Sequence, residues 1–248
     1  MKYHKLPFFF LIIICFFYLY KSRTLIIESF SSLIYQGPNI IQTWKDHNIP
    51  NKYINLINNI KKLNPYSNYM FFTDNDIDIF ISNKFPEYYN IYNNFPYKIQ
   101  KIDFFRYLAI YYYGGIYLDL DINLFKPLKG IDYEGKCIFP LEFSKSSDKI
   151  LHKQGFYGLI GNYAFYAPKK HPFIKKIITN IINKRINILK PNNNDNRKYV
   201  YYTTGPVIVT QSYIDYYFKK DIKIIEPYPF KKSYFGNYGK HVKFGTWK

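Results

Sequence analysis

The sequence predicts a single α/β domain with a largely parallel sheet, preceded by a short membrane helix. Segments with strand-like and helix-like hydrophobic patterns alternate from Ile40 onwards, which is typical of such a domain. A helical pattern also leads through Gly114-Gly115 directly into an acidic, strand-like segment. The membrane helix is indicated by Leu6 to Tyr20, a run of fifteen residues without a charged side chain. A chain of 248 residues has room for one substantial domain and this appendage.

The apolar run sets the predicted organisation of the chain. As a helix it would reach about 22 Å, which is shorter than the ~30 Å hydrocarbon core of a bilayer. A cleaved signal peptide is the alternative, but bulky aromatic residues at positions 16–18 and 20 occupy the place of the small residues that mark a cleavage site. Basic residues flank the run on both sides, so orientation is left open. We therefore expect a single-pass anchor over residues 1–23, a stem over 24–37 and a catalytic domain over 38–248.

The first elements of the domain follow from turn residues and periodicity. Gly37-Pro38 precedes a predicted strand, Ile40 to Trp44, and Pro50 opens a predicted helix. That helix keeps apolar residues at helical spacing until Asn64-Pro65. A second strand over 69–72 and a helix after residue 74 continue the alternation, and the polar stretch 192–196 predicts an exposed loop.

A strong helix is predicted from about Tyr97 to Tyr113. It carries Asp103 and Arg106, which are neighbours on a helix because they are three residues apart. The planar fork of the Arg106 guanidinium suits phosphate or sugar oxygens, and Asp103 can accept hydrogen bonds from sugar or ribose hydroxyls. A surface ion pair without function is the alternative. Gly114-Gly115 is predicted to end the helix, since glycine readily adopts the left-handed conformation.

The segment 116–122 has strand-like period-two alternation. In a strand, Tyr117, Asp119 and Asp121 would share one face, with the two carboxylates about 6.6 Å apart at the backbone. Two like charges side by side are costly unless a cation or strong donors compensate them, and a hard divalent ion bound also to a diphosphate would do so. An edge strand with its acidic face in water is the alternative.

Composition excludes some classes of protein and leaves others open. The two cysteines, Cys15 and Cys137, allow neither a disulfide framework nor a zinc site built on thiolates. The formal net charge of +18 would suit nucleic acid, membrane headgroups or nucleotide diphosphates. Codon bias towards lysine on an ordinary solvated surface is the alternative explanation, and no nucleic-acid-binding motif accompanies the charge. Lysine doublets occur at positions 61–62, 169–170, 175–176, 219–220 and 231–232.

One long stretch resembles a known family. Asp103-Phe-Phe-Arg106-Tyr-Leu-Ala-Ile-Tyr-Tyr-Tyr-Gly114-Gly115-Ile-Tyr117-Leu-Asp119-Leu-Asp121 is similar to the sugar-binding region of glycosyltransferase family 32. The resemblance spans roughly residues 38–248 and includes further blocks along the chain: Asn39-Ile-Ile-Gln-Thr-Trp44, Phe72-Thr73-Asp74, Asn162-Tyr-Ala-Phe-Tyr-Ala-Pro, His171-Pro-Phe, Thr204-Gly205-Pro206, and His241 with Trp247.

The resemblance implies a GT-A type fold, a UDP- or GDP-sugar donor, Mn²⁺ or Mg²⁺, and retention of anomeric configuration. It implies direct metal binding by Asp121, with Asp119 meeting the metal and the ribose. Roles follow by resemblance for six other residues: a grip on the donor sugar by Asp103 and Arg106, a lining role for Tyr117, proximity to the base for Trp44, a sugar contact for Asn162 and a metal role for His241. Core packing is the alternative for Trp44, loop capping for Asn162, and a packed side chain for His241, whose segment departs from the family's denser histidine pattern.

These observations predict a metal-dependent enzyme that moves a hexose or N-acetylhexosamine to a glycan, protein or lipid acceptor. In a eukaryotic or viral setting it would lie in a secretory-pathway membrane of endoplasmic reticulum or Golgi type. The alternative is a non-catalytic, basic, membrane-tethered protein that binds anions or glycans. A metal-dependent hydrolase or nuclease is disfavoured, since such sites usually need further carboxylate or histidine ligands nearby.

Overall fold

The computed structural model describes residues 16–23, 37–131, 133–142, 149–156, 158–184, 196–228 and 233–244. The chain from Pro38 to Lys248 forms a compact unit separate from Met1–Gly37. Residues 16–23 are helical and exposed, while the rest of the predicted anchor and the stem, at 1–15 and 24–36, lie outside the described residues. None of the described helices is both long and apolar enough to cross a bilayer. The division into anchor, stem and catalytic domain stays a prediction.

The fold is α/β, as predicted, with two sheets within the described residues. The large sheet has the order β2-β1-β3-β7-β5-β6, and β8 pairs with β5, while the small sheet has the order β4-β10-β9. The strands are β1 Gly37–Thr43, β2 Ser67–Phe72, β3 Gly115–Leu118, β4 Ile122–Leu124, β5 Cys137–Glu142, β6 Leu159–Ile160, β7 Ala164–Ala167, β8 Ile222–Ile225, β9 Tyr234–Phe235 and β10 Gly239–His241. The helices are α1 Asn51–Leu63, α2 Asp74–Lys84, α3 Pro86–Asn93, α4 Lys98–Tyr113, α5 Lys149–Lys153, α6 Pro172–Ile182, α7 Asn196–Thr203 and α8 Pro206–Ile214.

Strand directions decide where a site can form. β1 and β3 are parallel, as are β5 and β8, whereas β7 runs antiparallel between β3 and β5, and β6 is antiparallel to β5. The large sheet is therefore mixed, and the prediction of a largely parallel sheet is wrong. The carboxyl ends of β1, β3, β5 and β8 therefore meet at one edge of the large sheet. Ligands of open α/β sheets bind at this edge, outside the carboxyl ends of the strands.

Helix α4 carries the predicted Asp103 and Arg106 through the middle of the protein. Its central residues, from Asp103 to Ile110, are all buried, because the helix packs under the sheet and against α6. Helix α2 begins with a capping box, in which Thr73 and Asp76 satisfy each other's backbone N–H groups. The predicted boundaries of α1 and α4 agree with the structure to within one residue.

The predicted continuous strand over 116–122 is wrong. Strand β3 ends at Leu118, and the chain then turns before β4 continues in the small sheet. The Asp119 N–H donates to the carbonyl of Tyr163 at 2.7 Å, and the Ile122 N–H donates to the Asp119 carbonyl at 3.1 Å. The first bond ends the pairing of β3 with β7 and the second closes a turn. Asp119 and Asp121 therefore lie on this turn rather than on one face of a strand.

The turn from α4 into β3 depends on two glycines with positive φ, +68° at Gly114 and +107° at Gly115. A Cβ atom on Gly115 would lie 2.4 Å from the carbonyl oxygen of Asn39, which belongs to the neighbouring strand β1. Asn39 in turn donates through its side chain to the Tyr113 carbonyl at 3.2 Å. Glycine thus allows β1 and β3 to approach where α4 ends.

We expect Gly115→Ala to lower the free energy of unfolding by at least about 2 kcal/mol, because it combines an unfavourable φ with a backbone clash. Gly135→Ala is the matched control: Gly135 has a φ of +71°, but a Cβ there would meet no atom within 4 Å. Urea denaturation followed by circular dichroism measures both changes. Equal losses in the two variants would show that the contact with Asn39 contributes nothing.

Candidate functional site

Three side chains that could hold a cation meet beyond the carboxyl end of β3. Asp119 and Asp121 come from the turn, and His241 comes from β10, which pairs with β4 so that His241 lies opposite Ile122. One ligand atom from each of the three lies within 4.8 Å of the others. His241 Nε2 is 3.0 Å from Asp121 Oδ1 and 4.0 Å from Asp119 Oδ2. The structure thus brings His241, which lies 120 residues after Asp121 in the chain, next to the predicted pair Asp119 and Asp121.

The electrostatics of this cluster differ from residue to residue. Burial raises the pKa of Asp119, against the opposing charge of Arg106. Burial also disfavours the ionised form of Asp121, yet hydrogen bonds from His241 and from the Phe244 N–H hold its pKa below the ordinary value. For His241, burial alone would lower the pKa, but the bond with Asp121 and the charge of Asp119 raise it. Within the cluster, hydrogen bonding therefore favours an anionic Asp121 and a cationic His241, whereas burial disfavours the charge of Asp119.

Asp121 also fixes the segment that follows β10. The Val242 N–H donates to the main-chain carbonyl of Asp121 at 2.9 Å, and the Phe244 N–H donates to Oδ2 at 3.0 Å. The Phe244 ring then packs edge-on against Tyr53, with centroids 5.3 Å apart. The backbone and the side chain of Asp121 thus both hold residues 242–244 beside the site.

Arg106 contacts both Asp119, which belongs to the cluster of Asp119, Asp121 and His241, and the buried residue Asp103. Its Nη1 donates to the Asn162 carbonyl at 2.6 Å and lies 3.4 Å from Asp119 Oδ1, while Nη2 is 2.9 Å from Asp103 Oδ1. The guanidinium carbon lies 4.6 Å from the centroid of the Tyr117 ring. Among the described residues, its Nε finds no hydrogen-bond partner. One guanidinium therefore bridges two carboxylates and a carbonyl.

Asp103 lies behind Arg106 with none of its surface exposed. It accepts hydrogen bonds from Thr204 Oγ1 at 2.9 Å and from Asn162 Nδ2 at 3.2 Å, in addition to its pair with Arg106. Burial raises its pKa to about 7, against the lowering effects of Arg106 and Thr204. In this arrangement Asp103 orients Arg106, and its predicted contact with the donor sugar would require Arg106 to move.

The remaining predicted residues surround this centre. The Asn162 side chain donates to Asp103 and, at 3.1 Å, to the Tyr107 hydroxyl, so its amide is engaged inside the protein. Tyr117 is buried beneath Arg106, with its hydroxyl 3.4 Å from Thr43 Oγ1. Trp44 is half-buried, and its ring centroid lies 4.8 Å from that of Tyr53. Its predicted contact with a nucleotide base stays a prediction.

Two residues at the site, Thr204 and Tyr163, have no role that the sequence alone predicts. Thr204 opens the Thr-Gly-Pro block but contacts Asp103, 101 residues earlier. Tyr163 accepts the Asp119 N–H, and its ring stacks on His241 with centroids 4.7 Å apart and planes 25° apart. Each residue lies in a segment that resembles the family, and that resemblance was the only indication of a role in the sequence. Nothing about either side chain predicted its contact. Trp247, which belongs to the same block of the family resemblance as His241, lies outside the described residues.

Comparison with known proteins identifies the region of the chain that contains the Asp119–Asp121 turn. Residues 50–138, which contain the Asp-x-Asp pair, match the family described as "Glycosyltransferase sugar-binding region containing DXD motif". Inositol phosphoceramide mannosyltransferase 1 of Schizosaccharomyces pombe is 30% identical over 185 residues, which cover 72% of this chain and 52% of the relative. The initiation-specific alpha-1,6-mannosyltransferase of Candida albicans is 30% identical over 129 residues, covering 49% of this chain and 30% of the relative.

The solved structure of the PaToxG glycosyltransferase superposes with a TM-score of 0.51 over 79% of this chain and 77% of that chain, at 20% identity. This likeness shows a shared fold alone. The chain spans about half the length of the curated relatives it matches, 52% and 44% for two fission-yeast mannosyltransferases. The matching region carries the Asp-x-Asp turn, the buried arginine and the helix that holds it. Residues 50–138 therefore carry the glycosyltransferase sugar-binding region that contains the DXD motif.

Proposed function

We propose that the protein transfers a hexose or N-acetylhexosamine from a nucleotide-sugar donor to an acceptor hydroxyl, with a divalent cation bound by Asp119, Asp121 and His241. The observation that carries the proposal is the convergence of these three side chains, whose ligand atoms lie within 4.8 Å of one another. Arg106 lies against the same cluster through Asp119. A donor diphosphate would then meet both a cation and a fixed positive side chain.

The donor set suits Mn²⁺ or Mg²⁺. Carboxylate oxygens are the ligands that hard divalent ions prefer, and one imidazole nitrogen is compatible with Mn²⁺. The Asp119 and Asp121 side chains are 24% and 12% exposed, so both remain open to a ligand from solvent. Two carboxylates so close together repel each other, and a cation would remove that cost. A bound cation would act as a Lewis acid on the departing diphosphate.

The protein's own groups would orient the reactants. The two Nη atoms of Arg106 are held by Asp103, Asp119 and the Asn162 carbonyl, so its charge would stabilise the developing negative charge of the leaving group with little reorganisation. Asp103, Thr204 and Asn162 would fix that guanidinium rather than touch the sugar. Asp119 and Asp121 would serve as cation ligands, and Asp103 is covered. These three carboxylates are thus unsuited to act as a nucleophile, which supports attack by the acceptor from the leaving-group side, with retention.

Glu142 is a further carboxylate at this edge, at the carboxyl end of β5. We expect Glu142→Gln to keep at least about a tenth of wild-type kcat, because retention by front-face attack needs no enzymic nucleophile, whereas nucleophile loss costs several orders of magnitude. Single-turnover kinetics measure the change. Complete loss, together with a covalent glycosyl adduct on the wild-type chain, would favour a double displacement.

The donor and acceptor can be sought from the relatives' names. Those names include mannosyltransferases that act on inositol phosphoceramide and an initiation-specific alpha-1,6-mannosyltransferase, so GDP-mannose is the first donor to test. Purified full-length protein would be incubated with GDP- and UDP-sugars, Mn²⁺ and lipid or glycan acceptors, and free nucleoside diphosphate measured. Release from one donor, with a product of the donor's anomeric configuration, is expected. No release from any donor would favour the alternative of a non-catalytic anion- or glycan-binding protein.

Removal of the cation should stop transfer. We expect excess EDTA to reduce turnover by at least about a hundredfold, since a Lewis acid at the leaving group contributes several kcal/mol. Added Mn²⁺ should restore it, and Mg²⁺ should restore it in part. The measurement is product formation in the dialysed protein before and after each addition. Undiminished turnover in excess EDTA would contradict metal dependence while leaving sugar transfer possible.

A membrane setting is part of the same proposal. The uncharged run of residues 6–20 would anchor the chain, and a secretory-pathway membrane would suit the work of a glycan-modifying enzyme. Carbonate extraction and N-terminal sequencing of the expressed full chain test this part on its own. A mature terminus near residue 31 would mean that the segment is a cleaved signal.

A further inference from the structure

Most of the lysine doublets lie at the end of the sheet opposite the Asp119–Asp121 turn. Strand pairing aligns one residue from each of five strands across the large sheet: Ile40, Ile116, Tyr166, Ile138 and Lys223. The turn lies beyond the carboxyl end of β3. The starts of β1, β3, β5 and β8, together with the turn that follows β7, therefore form the opposite end, which we call the basic end.

Each doublet can be placed by the strand it adjoins. Lys169 and Lys170 form the turn after β7, and Lys219 and Lys220 form the short 3₁₀ turn that precedes β8. Lys175 and Lys176 follow in the first turns of α6. Lys61 and Lys62 end α1 just before β2, whose Asn68 side chain donates to Asn39 Oδ1 at 3.1 Å near the start of β1. Of these eight lysines all but Lys176 are exposed, and the doublet 231–232 lies outside the described residues.

Acidic side chains do not balance this charge. Among the described residues at the basic end, Asp221 is half-buried, Glu134 is paired with Lys136, and Glu87 interacts electrostatically with Lys175. Asp215 is also at this end, next to Ile214, whose carbonyl accepts from Lys219 at 3.4 Å. The opposite end carries the aspartates of the cation cluster and also Asp46, Asp74 and Asp76, which follow the carboxyl ends of β1 and β2. Within the described residues, exposed lysines therefore outnumber acidic side chains at the basic end.

Exposed aromatic side chains accompany the lysines. Tyr217 is 88% exposed and Phe218 is 53% exposed, and they directly precede Lys219 and Lys220. Tyr66, which follows the doublet at the end of α1, is 56% exposed. Aromatic rings at the headgroup level with lysines beside them are typical of surfaces that bind bilayers.

The chain itself favours a lipid partner over a nucleic acid. Strand β1 begins at the basic end, and the residues before it contain the uncharged run 6–20, flanked by basic residues. In the order of the chain, the predicted anchor and stem thus lead into the start of β1, which makes a bilayer the partner to test first. Anionic headgroups complement seven exposed lysines, and each basic residue near such a surface adds roughly a fivefold gain in binding.

We propose that the basic end docks on a bilayer surface that carries anionic headgroups, with Tyr217 and Phe218 at the interface. Docked in this way, the protein directs the Asp119–Asp121 turn away from the lipid. The inference rests on the placement of lysines and aromatic rings, so it stands or falls separately from sugar transfer.

The test uses the full chain in nanodiscs of brominated phosphatidylcholine, with or without phosphatidylserine. Tyr217→Trp places a fluorescent reporter at the basic end, and Ile54→Trp places one near the opposite end, where Ile54 is 38% exposed. The unsubstituted chain gives the background of its own two tryptophans. We expect bromine to quench the reporter at position 217 when anionic lipid is present, and to spare the reporter at position 54.

Charge-reversed variants test whether the basic end itself or only the net charge of the protein attracts it to the bilayer. Changing Lys169, Lys170, Lys219 and Lys220 to Glu, in the reporter background, should abolish quenching at position 217. The control changes Lys45, Lys52, Arg197 and Lys198, which are exposed near the other end, to Glu and should keep it. Each set lowers the formal charge by eight, from +18 to +10. Circular dichroism verifies folding.

Three results would overturn the proposal in folded protein. Quenching at position 54 instead of 217 would mean that the other end docks. Equal quenching in neutral and anionic nanodiscs would show that headgroup charge plays no part. Equal loss of quenching in both charge-reversed sets would show that net charge, not the basic end, attracts the chain.

Discussion

Replacing Asp121 with Asn is expected to reduce sugar transfer by at least about two orders of magnitude, because the leaving group would lose much of its electrostatic stabilisation. Asn keeps an oxygen that can accept the Phe244 N–H, now bonded at 3.0 Å. Loss of one of two neighbouring negative charges also relieves their repulsion. The fold should therefore survive, and the Mn²⁺ concentration needed for half-maximal activity should rise steeply.

Asp221→Asn is the matched control for this substitution. It removes the same charge from a half-buried side chain at the basic end of the sheet, and should leave kcat and Mn²⁺ dependence unchanged. Asp119→Asn should resemble Asp121→Asn in metal dependence but also weaken donor binding, because Asp119 contacts Arg106 as well. Wild-type transfer by Asp121→Asn, with an unchanged response to Mn²⁺, would remove the turn from the cation site.

Replacing Arg106 with Met is expected to cost about 3–5 kcal/mol of unfolding free energy at pH 8, because it leaves a buried carboxylate without its partner. Asp103 is fully buried, and its hydrogen bonds from Thr204 and Asn162 do not supply a countercharge. Transfer should be lost as well. Arg106→Lys should keep more stability but lose most of kcat/KM, since a compact ammonium cannot reproduce the planar fork whose two Nη atoms reach Asp103, Asp119 and the Asn162 carbonyl.

The pH dependence of the Arg106→Met variant provides a direct check. Burial raises the pKa of Asp103 from its ordinary value of 3.8 to about 7 even beside Arg106, and loss of the guanidinium charge should raise it further. A raised carboxyl pKa means that the folded state binds the proton more tightly, so stability falls as pH rises above the unfolded value. The stability deficit should thus shrink between pH 8 and pH 5. Urea denaturation measures it, and Asp103→Asn in the same background should remove the pH dependence.

The sequence was sufficient for the elements whose determinants are local. Pro50 and Asn64 bound α1, and Gly114 ends α4, because backbone geometry at these positions is set by the residues themselves. The fold class followed from the alternation of such elements. The strand through Asp121 was predicted wrongly for the complementary reason: β3 ends where the Asp119 N–H bonds to the carbonyl of Tyr163, 44 residues later, and no local pattern contains that contact.

From residue types, the candidate site was also predicted only where its residues are close together in the sequence. Asp103, Arg106, Asp119 and Asp121 lie within one continuous block and could be named together from their residue types. The block did not reveal that Asp103 is covered by Arg106, because burial there depends on Thr204 and Asn162, which arrive from other parts of the chain. His241 was named through resemblance alone, and its place beside Asp121 results from the pairing of β10 with β4.

The short connection between β6 and β7 supports several parts of the site without carrying any of its chemistry. The Asn162 carbonyl and amide hold Arg106 and Asp103, while the Tyr163 carbonyl anchors Asp119 and its ring supports His241. Surface loops usually tolerate insertions, because their length is not tied to a particular geometry. Here a single added residue would shift four functional groups at once. Along an evolving lineage, the length of this connection should therefore vary less than the identity of the side chains it supports.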